Sequence, residues 1–113
     1  MYATTSVSTP KITVVRPTGS ISAANAATFR AELNVAVESD SQAPLLVDME
    51  QVEFLDSAGL MVLVNALSRT QKTNRKFGLC SVSAPIKMIF ELTQLERVFE
   101  IYENSREFEA AIS

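Results

Sequence analysis

Histidine is absent from this chain of 113 residues, and cysteine occurs once, at Cys80. The first absence removes every Ser-His and Cys-His nucleophile pair and every imidazole metal ligand. The second excludes an intrachain disulfide and a multi-thiolate zinc site. Tryptophan is also missing, and 2 Tyr and 6 Phe offer few platforms for stacking on single-stranded nucleic acid. Positive charge is in the minority: 10 Lys and Arg face 13 Asp and Glu, for a net charge of −3. Affinity for a phosphate backbone comes chiefly from Lys and Arg, so nucleic acid is not an expected partner. No stretch reaches the ~18–20 continuous apolar residues of a membrane helix, so no membrane insertion is expected. The start, Met1-Tyr2-Ala3-Thr4-Thr5-Ser6, has neither a basic cluster nor an apolar run and does not read as a secretory signal. With one cysteine and no signal, the expected compartment is the cytoplasm.

The chain has the makings of one core. Its 47% hydrophobic and 20% charged residues match an ordinary globular protein, and its length suits a single domain over 1–113. Ile12-Thr13-Val14-Val15-Arg16-Pro17 is β-branched and ends at proline, which predicts a strand. Tyr2 to Ser8 is a second strand candidate, joined to it by a turn at Thr9-Pro10-Lys11, and Thr18-Gly19-Ser20 reads as a loop. The alanine-rich stretch from Ala23 to Leu33 favours helix, with Ser22 as its N-cap and Ala26, Phe29, Leu33 and Val37 as one apolar stripe. That helix should stop near Ser39-Asp40-Ser41-Gln42.

Pro44 to Met49 is a continuous apolar run of the kind buried parallel strands show, and Glu50 to Glu53 reads as a connection. From Leu60 to Leu67 apolar residues cover nearly every face, so this helix should lie centrally. Its later part carries Arg69, Lys72, Arg75 and Lys76, which suit the negative end of a helix dipole better than a nucleic-acid patch. Phe77 to Val82 is a further strand, Pro85 opens a helix through Ile86, Ile89, Phe90 and Thr93, and Leu95, Val98 and Phe99 should form a short turn packing back. Glu100-Ile101-Tyr102 is a last strand, and Ser105 caps a terminal helix with Phe108 and Ile112 inward. The order β-β-α-β-α-β-α-β-α predicts an α/β fold: a mixed, mostly parallel sheet of four to five strands, about four helices, and one antiparallel edge.

In such sheets, sites are built on loops at the carboxyl ends of strands. Two loops qualify, Thr18 to Asn25 and Glu53 to Leu60. The second holds Asp56-Ser57-Ala58-Gly59-Leu60, a small hydroxyl residue at the start of a helix. The plainer reading is a cap supplied by Asp56 or Ser57. A nucleophile elbow needs G-x-S-x-G, and Leu55 stands at the first glycine position with no histidine to act as base. A Ser-Lys pair with Lys72 or Lys87 has no support in the spacing. Thr18-Gly19-Ser20 lacks the glycines and lysine of a phosphate loop.

Phe54-Leu55-Asp56-Ser57-Ala58-Gly59-Leu60 resembles the signature of STAS-domain anti-sigma factor antagonists of the sporulation and stress-response type. Gly19-Ser20-Ile21 with Asn25-Ala26, Leu45 to Met49, and Ser83 to Thr93 resemble the family's flanking segments, so the likeness spans nearly the whole chain. It implies a STAS-like fold and a bacterial regulatory binding protein without catalysis, cofactor or metal. It also implies that Ser57 is phosphorylated by a partner that is both serine kinase and anti-sigma factor, that phosphorylation breaks docking, and that a PP2C-type phosphatase restores it. Expected partner contacts are Ser22, Asn25, Asp56, Ser57, Ala58, Gly59 and Leu60, with Ala58 and Gly59 small enough to permit close approach and Leu60 also suited to the helix core. The expected oligomeric state is a monomer or weak dimer. The alternative implied by STAS-like relatives is an accessory subunit of a transport or other signalling complex that acts without phosphorylation; no motif supports small-ligand sensing. Two positions depart from the family pattern: Ser22 stands where an aspartate is usual, and Gln94 where a glycine often precedes Leu95.

Overall fold

A strand buried on both faces reads as a near-continuous apolar run, and three strands of this chain are buried at every position. In the computed structural model, which describes residues 2–5, 12–39 and 43–112, these are β2 (Ile12–Val15), β4 (Leu45–Asp48) and β6 (Phe77–Cys80). They pair in parallel, β2 with β4 and β4 with β6, and β6 pairs in parallel with the short β7 (Ile101–Tyr102). The strand β1 (Tyr2–Thr5) adds an antiparallel edge, with Thr4 opposite Thr13, so the sheet order is β1-β2-β4-β6-β7. The fold is the α/β arrangement expected from the sequence. The proposed turn at Thr9-Pro10-Lys11, the end of the first strand at Ser6 to Ser8 and the helix stop at Asp40 to Gln42 lie outside the described residues.

Side chains alternate between two cores. Val15, Leu45, Val47 and Leu79 join the larger one, beneath α1 (Ala26–Ser39), α2 (Ser57–Lys72) and α3 (Ala84–Leu92). Ile12, Val14, Leu46 and Cys80 face the other way, onto Phe108 of α4 (Ser105–Ile112). Gly78 makes that second contact possible: a Cβ there would lie 2.7 Å from the Phe108 ring. The α1 stripe of Ala26, Phe29, Leu33 and Val37 is buried as its spacing predicted. Phe99 packs between Phe77 and Phe90, at ring-centre distances of 6.0 and 5.6 Å.

Two further strands interrupt the predicted order. Thr18-Gly19-Ser20 is not wholly loop, because β3 runs Gly19–Ile21, and the segment read as a connection ends in β5, Val52–Leu55. They form a separate parallel ribbon, with Ile21 beside Leu55. Neither has enough residues for a period-2 pattern; each is a strand because the other lies beside it. Gly19 sits at φ +78°, where a Cβ is strained, which explains the glycine.

Several local readings need correction. Ser22 does not cap α1; the helix begins three turn residues later, where the Asn25 carbonyl accepts from Phe29 N–H at 3.2 Å. Asn104 displaces Ser105 as the cap of α4, its Oδ1 accepting from Glu107 N–H at 3.0 Å. Asparagine caps as well as serine, and at α4 the chain offers both side by side. Val98 points outward rather than packing back. Arg75 and Lys76 lie beyond the end of α2. Arg75 turns inward, donating from Nε to the Ala43 carbonyl and from Nη1 to the Val37 carbonyl, both at 2.7 Å. Lys76 pairs with Glu100 at 2.8 Å. Gln94 takes φ 62° at the end of α3, the left-handed conformation that the missing glycine implied. Among the described residues, no helix is long and apolar enough to cross a membrane.

Candidate functional site

The β3–β5 ribbon brings the two candidate loops together. Asp56 N–H donates to the Ile21 carbonyl at 3.1 Å, which continues the ribbon into both loops. The Asp56 carboxylate then takes three backbone donors: Oδ1 accepts from Ala58 N–H at 2.9 Å and Gly59 N–H at 3.2 Å, and Oδ2 accepts from Ala23 N–H at 3.1 Å. Asp56, not Ser57, is therefore the N-cap of α2. It is also a staple between loops that are distant in sequence. Its oxygens are occupied, so its contribution to a partner surface is geometric and electrostatic.

Ser57 is the first residue of α2 and is exposed. Its hydroxyl makes no hydrogen bond among the described residues, because the neighbouring aspartate has taken the capping role. Ala58 is half-buried. Gly59 is buried and faces inward, so it does not open the surface to a partner: a Cβ there would lie 2.5 Å from Leu55 Cδ1, 3.0 Å from Ile21 Cγ2 and 3.1 Å from the Ile21 carbonyl oxygen. The missing side chain lets α2 sit down on the ribbon. Leu60 is 6% exposed and belongs to the core, so neither residue lies on the outer face.

The first loop is held by its own hydrogen bonds. Asn25 Oδ1 accepts from Ser22 N–H at 2.8 Å, and Asn25 Nδ2 donates to the Ser20 carbonyl at 2.8 Å. Ser22 Oγ accepts from Ala24 N–H at 3.3 Å. Ser22 is thus next to Ala23, the residue bound by Asp56, and its hydroxyl brings no charge to that junction. Asp48 is buried and paired with Arg16 at 3.2 Å, and its Oδ1 accepts from Glu50 N–H at 3.0 Å, so it adds no free charge near Ser57. Glu53 and Glu50 are exposed.

Two features of the site escaped the sequence reading. Phe54, three residues before Ser57, is 49% exposed, and Met61, one helical turn after it and on the same face, is 51% exposed. In sequence both resemble core residues. The out-facing Phe54 follows from the in-out-out-in burial of Val52 to Leu55.

The chain and its fold have counterparts. The anti-sigma F factor antagonist of Paenibacillus polymyxa is 19% identical over 93 residues, 82% of this chain and 80% of that protein. The crystal structure of an anti-sigma factor antagonist from Mycobacterium paratuberculosis matches with a TM-score of 0.81 at 26% identity, covering 98% of this chain and 93% of that one. The phosphorylated form of the Bacillus cell fate determinant SpoIIAA matches with a TM-score of 0.69, covering 98% and 99%; at 14% identity the likeness is one of fold. The family model described as the STAS domain matches residues 4–108, and the chain belongs to the STAS domain family.

Proposed function

We propose that this chain is an anti-sigma factor antagonist, a cytoplasmic protein-binding module that works as one STAS domain and catalyses nothing itself. It docks a serine kinase that is also an anti-sigma factor, is released when that kinase phosphorylates Ser57, and is reset by a PP2C-type phosphatase. The observation that carries the reading is the state of Ser57. Its hydroxyl is exposed, unbonded and flanked by half-exposed Phe54 and Met61, so a kinase can reach it without disturbing the cap. Exposed apolar side chains around a polar point are what a protein partner covers. Relatives named as anti-sigma factor antagonists support the partner class, and a phosphorylated protein of the same fold supports the modification.

The electrostatics give the switch its direction. A phosphate adds about −1.5 to −2 charges at pH 7. A helix N-terminus normally welcomes it through free N–H groups. Here the N–H groups of Ala58 and Gly59 already donate to Asp56, so a phosphate on Ser57 meets a carboxylate whose donors are spent, with Glu53 close by in sequence. The added charge stays on the surface and opposes desolvation by a partner. Within this reading the contact surface is Ser57 and Ala58 with Phe54, Met61, Ser22 and Asn25, while Gly59 and Leu60 support it from beneath. Intact mass measurement of the protein from its own cells, with and without phosphatase treatment, tests the modification. A phosphatase-sensitive gain of one phosphate, lost in Ser57→Ala, is expected; an unphosphorylated mass under every growth condition contradicts it.

A further inference from the structure

Between α1 and α2 lies an open groove of about 360 Å³, within the volume range of binding clefts. Leu33, Val62 and Ala66 form its floor. Its charged walls are cationic: Arg30 from α1, and Arg69 and Lys72 from α2, with no carboxylate in the lining among the described residues. Such a concentration of positive charge is notable in a chain of net charge −3.

Structural roles account for only part of it. Arg69 is bound across the helix pair, donating to Asn34 Oδ1 and, at 3.0 Å, to Glu38 Oε2. Lys72 ends α2, where the helix dipole favours a cation. Arg30 is near the amino end of α1, where the dipole favours the opposite sign. Neither Arg30 nor Lys72 has a carboxylate partner among the described residues. Both are exposed, and Asn65 and Ser68 add polar groups between the charges.

We infer that this groove is a second interaction surface, which takes an acidic, extended segment of a protein partner. Charge complementarity selects the sign. Length selects a peptide over a small ion: Val62 to Lys72 spans about 15 Å of helix, the reach of about five extended residues. Val62, at the near end of the groove, is about 7.5 Å along α2 from Ser57 and Lys72 is about 22 Å from it, so the cationic end lies away from the phosphorylation site and the inference does not rest on the proposed function.

The test is a titration of the isotope-labelled full chain with an oligoglutamate peptide of about six residues, followed by amide chemical shifts. Saturable shifts are expected at residues 30–34 and 62–72, with little change at 56–60. They should vanish at ~0.5 M salt, where surface charges are screened. The double substitution Arg30→Ala with Lys72→Ala should weaken binding about tenfold or more with the melting temperature unchanged; Arg69 is left in place because it joins the two helices. Absent shifts, shifts elsewhere, or shifts unaffected by the double substitution overturn the inference. So does saturation of the same amides by pyrophosphate when the peptide leaves them unmoved, since that marks a small-anion site.

Discussion

The Asp56 carboxylate accepts the backbone N–H of Ala23, 33 residues earlier, at 3.1 Å. With its bonds to Ala58 and Gly59 N–H, it locks the loop that precedes α1 to the first turn of α2. Asp56→Ala should therefore cost more than an isolated cap. A lost N-cap costs about 0.5–2 kcal/mol, and here the Ala23 donor is freed as well. Asp56→Asn retains an acceptor at Oδ1 for the α2 donors but places an amide N–H₂ or a poorer acceptor against Ala23. Urea denaturation should rank wild type above Asp56→Asn above Asp56→Ala, with amide exchange at Ala23 faster in both variants. Equal stability of all three contradicts the staple.

Gly59→Ala should destabilise the protein even though alanine is the better helix former. The Cβ would collide with Leu55 and Ile21, and the Ile21 carbonyl at 3.1 Å is backbone that cannot rotate away. Overpacking of this kind costs about 1–3 kcal/mol, against a helix gain of about 1 kcal/mol. Gly78→Ala makes the same point on the other face, where the Cβ would lie 2.7 Å from the Phe108 ring and push α4 from the sheet. A melting temperature at or above wild type for either variant contradicts the packing account.

How much of this was legible beforehand depends on the range of the interaction. The apolar runs of β4 and β6 and the Ala26-Phe29-Leu33-Val37 stripe declare their burial locally, and the structure places them as their patterns predict. The β3–β5 ribbon could not be read, because three or four residues form a strand only when their partner is present. Arg75 looked like one more cation in a basic run. Only the fold reveals that the carbonyls of Val37 and Ala43 turn toward it. At the site, Ser57 and Asp56 stood out by motif, whereas the inward role of Gly59 depends on Ile21, and the exposure of Phe54 and Met61 depends on what does not cover them.

Stability should fall in alkaline solution. Burial, then the charge of Asp48, pushes the Cys80 thiol up to about 11. Tyr102 is raised by burial and its bond to Glu100, and Lys76 is raised by its hydrogen bond to the same carboxylate. A group whose pKa is raised by folding stabilises fully below its unfolded value, and that contribution is lost as pH rises through the folded value. For Cys80 the window runs from about pH 9 to about 11. The urea midpoint should decline across it, and Cys80→Ala should flatten part of the decline. Glu100, held low by Lys76, acts in the opposite direction at acid pH, with a small effect because both side chains are solvent-exposed. An alkaline decline identical in Cys80→Ala and wild type contradicts the assignment.

Phosphorylation of Ser57 should leave the fold intact, because the hydroxyl has no bond to lose and Asp56 keeps the cap. Circular dichroism and amide spectra of phosphorylated and unmodified protein should match except near residues 54–61. Loss of the Ala23 and Gly59 amide signals on phosphorylation contradicts a switch confined to the surface.

The direct measurement is calorimetric titration of the cognate serine kinase/anti-sigma factor with unmodified and Ser57-phosphorylated protein. The account predicts saturable binding of the unmodified form and at least about a tenfold loss of affinity on phosphorylation, with Phe54→Ala and Met61→Ala also weakening the unmodified complex. Equal affinity of the two forms contradicts it.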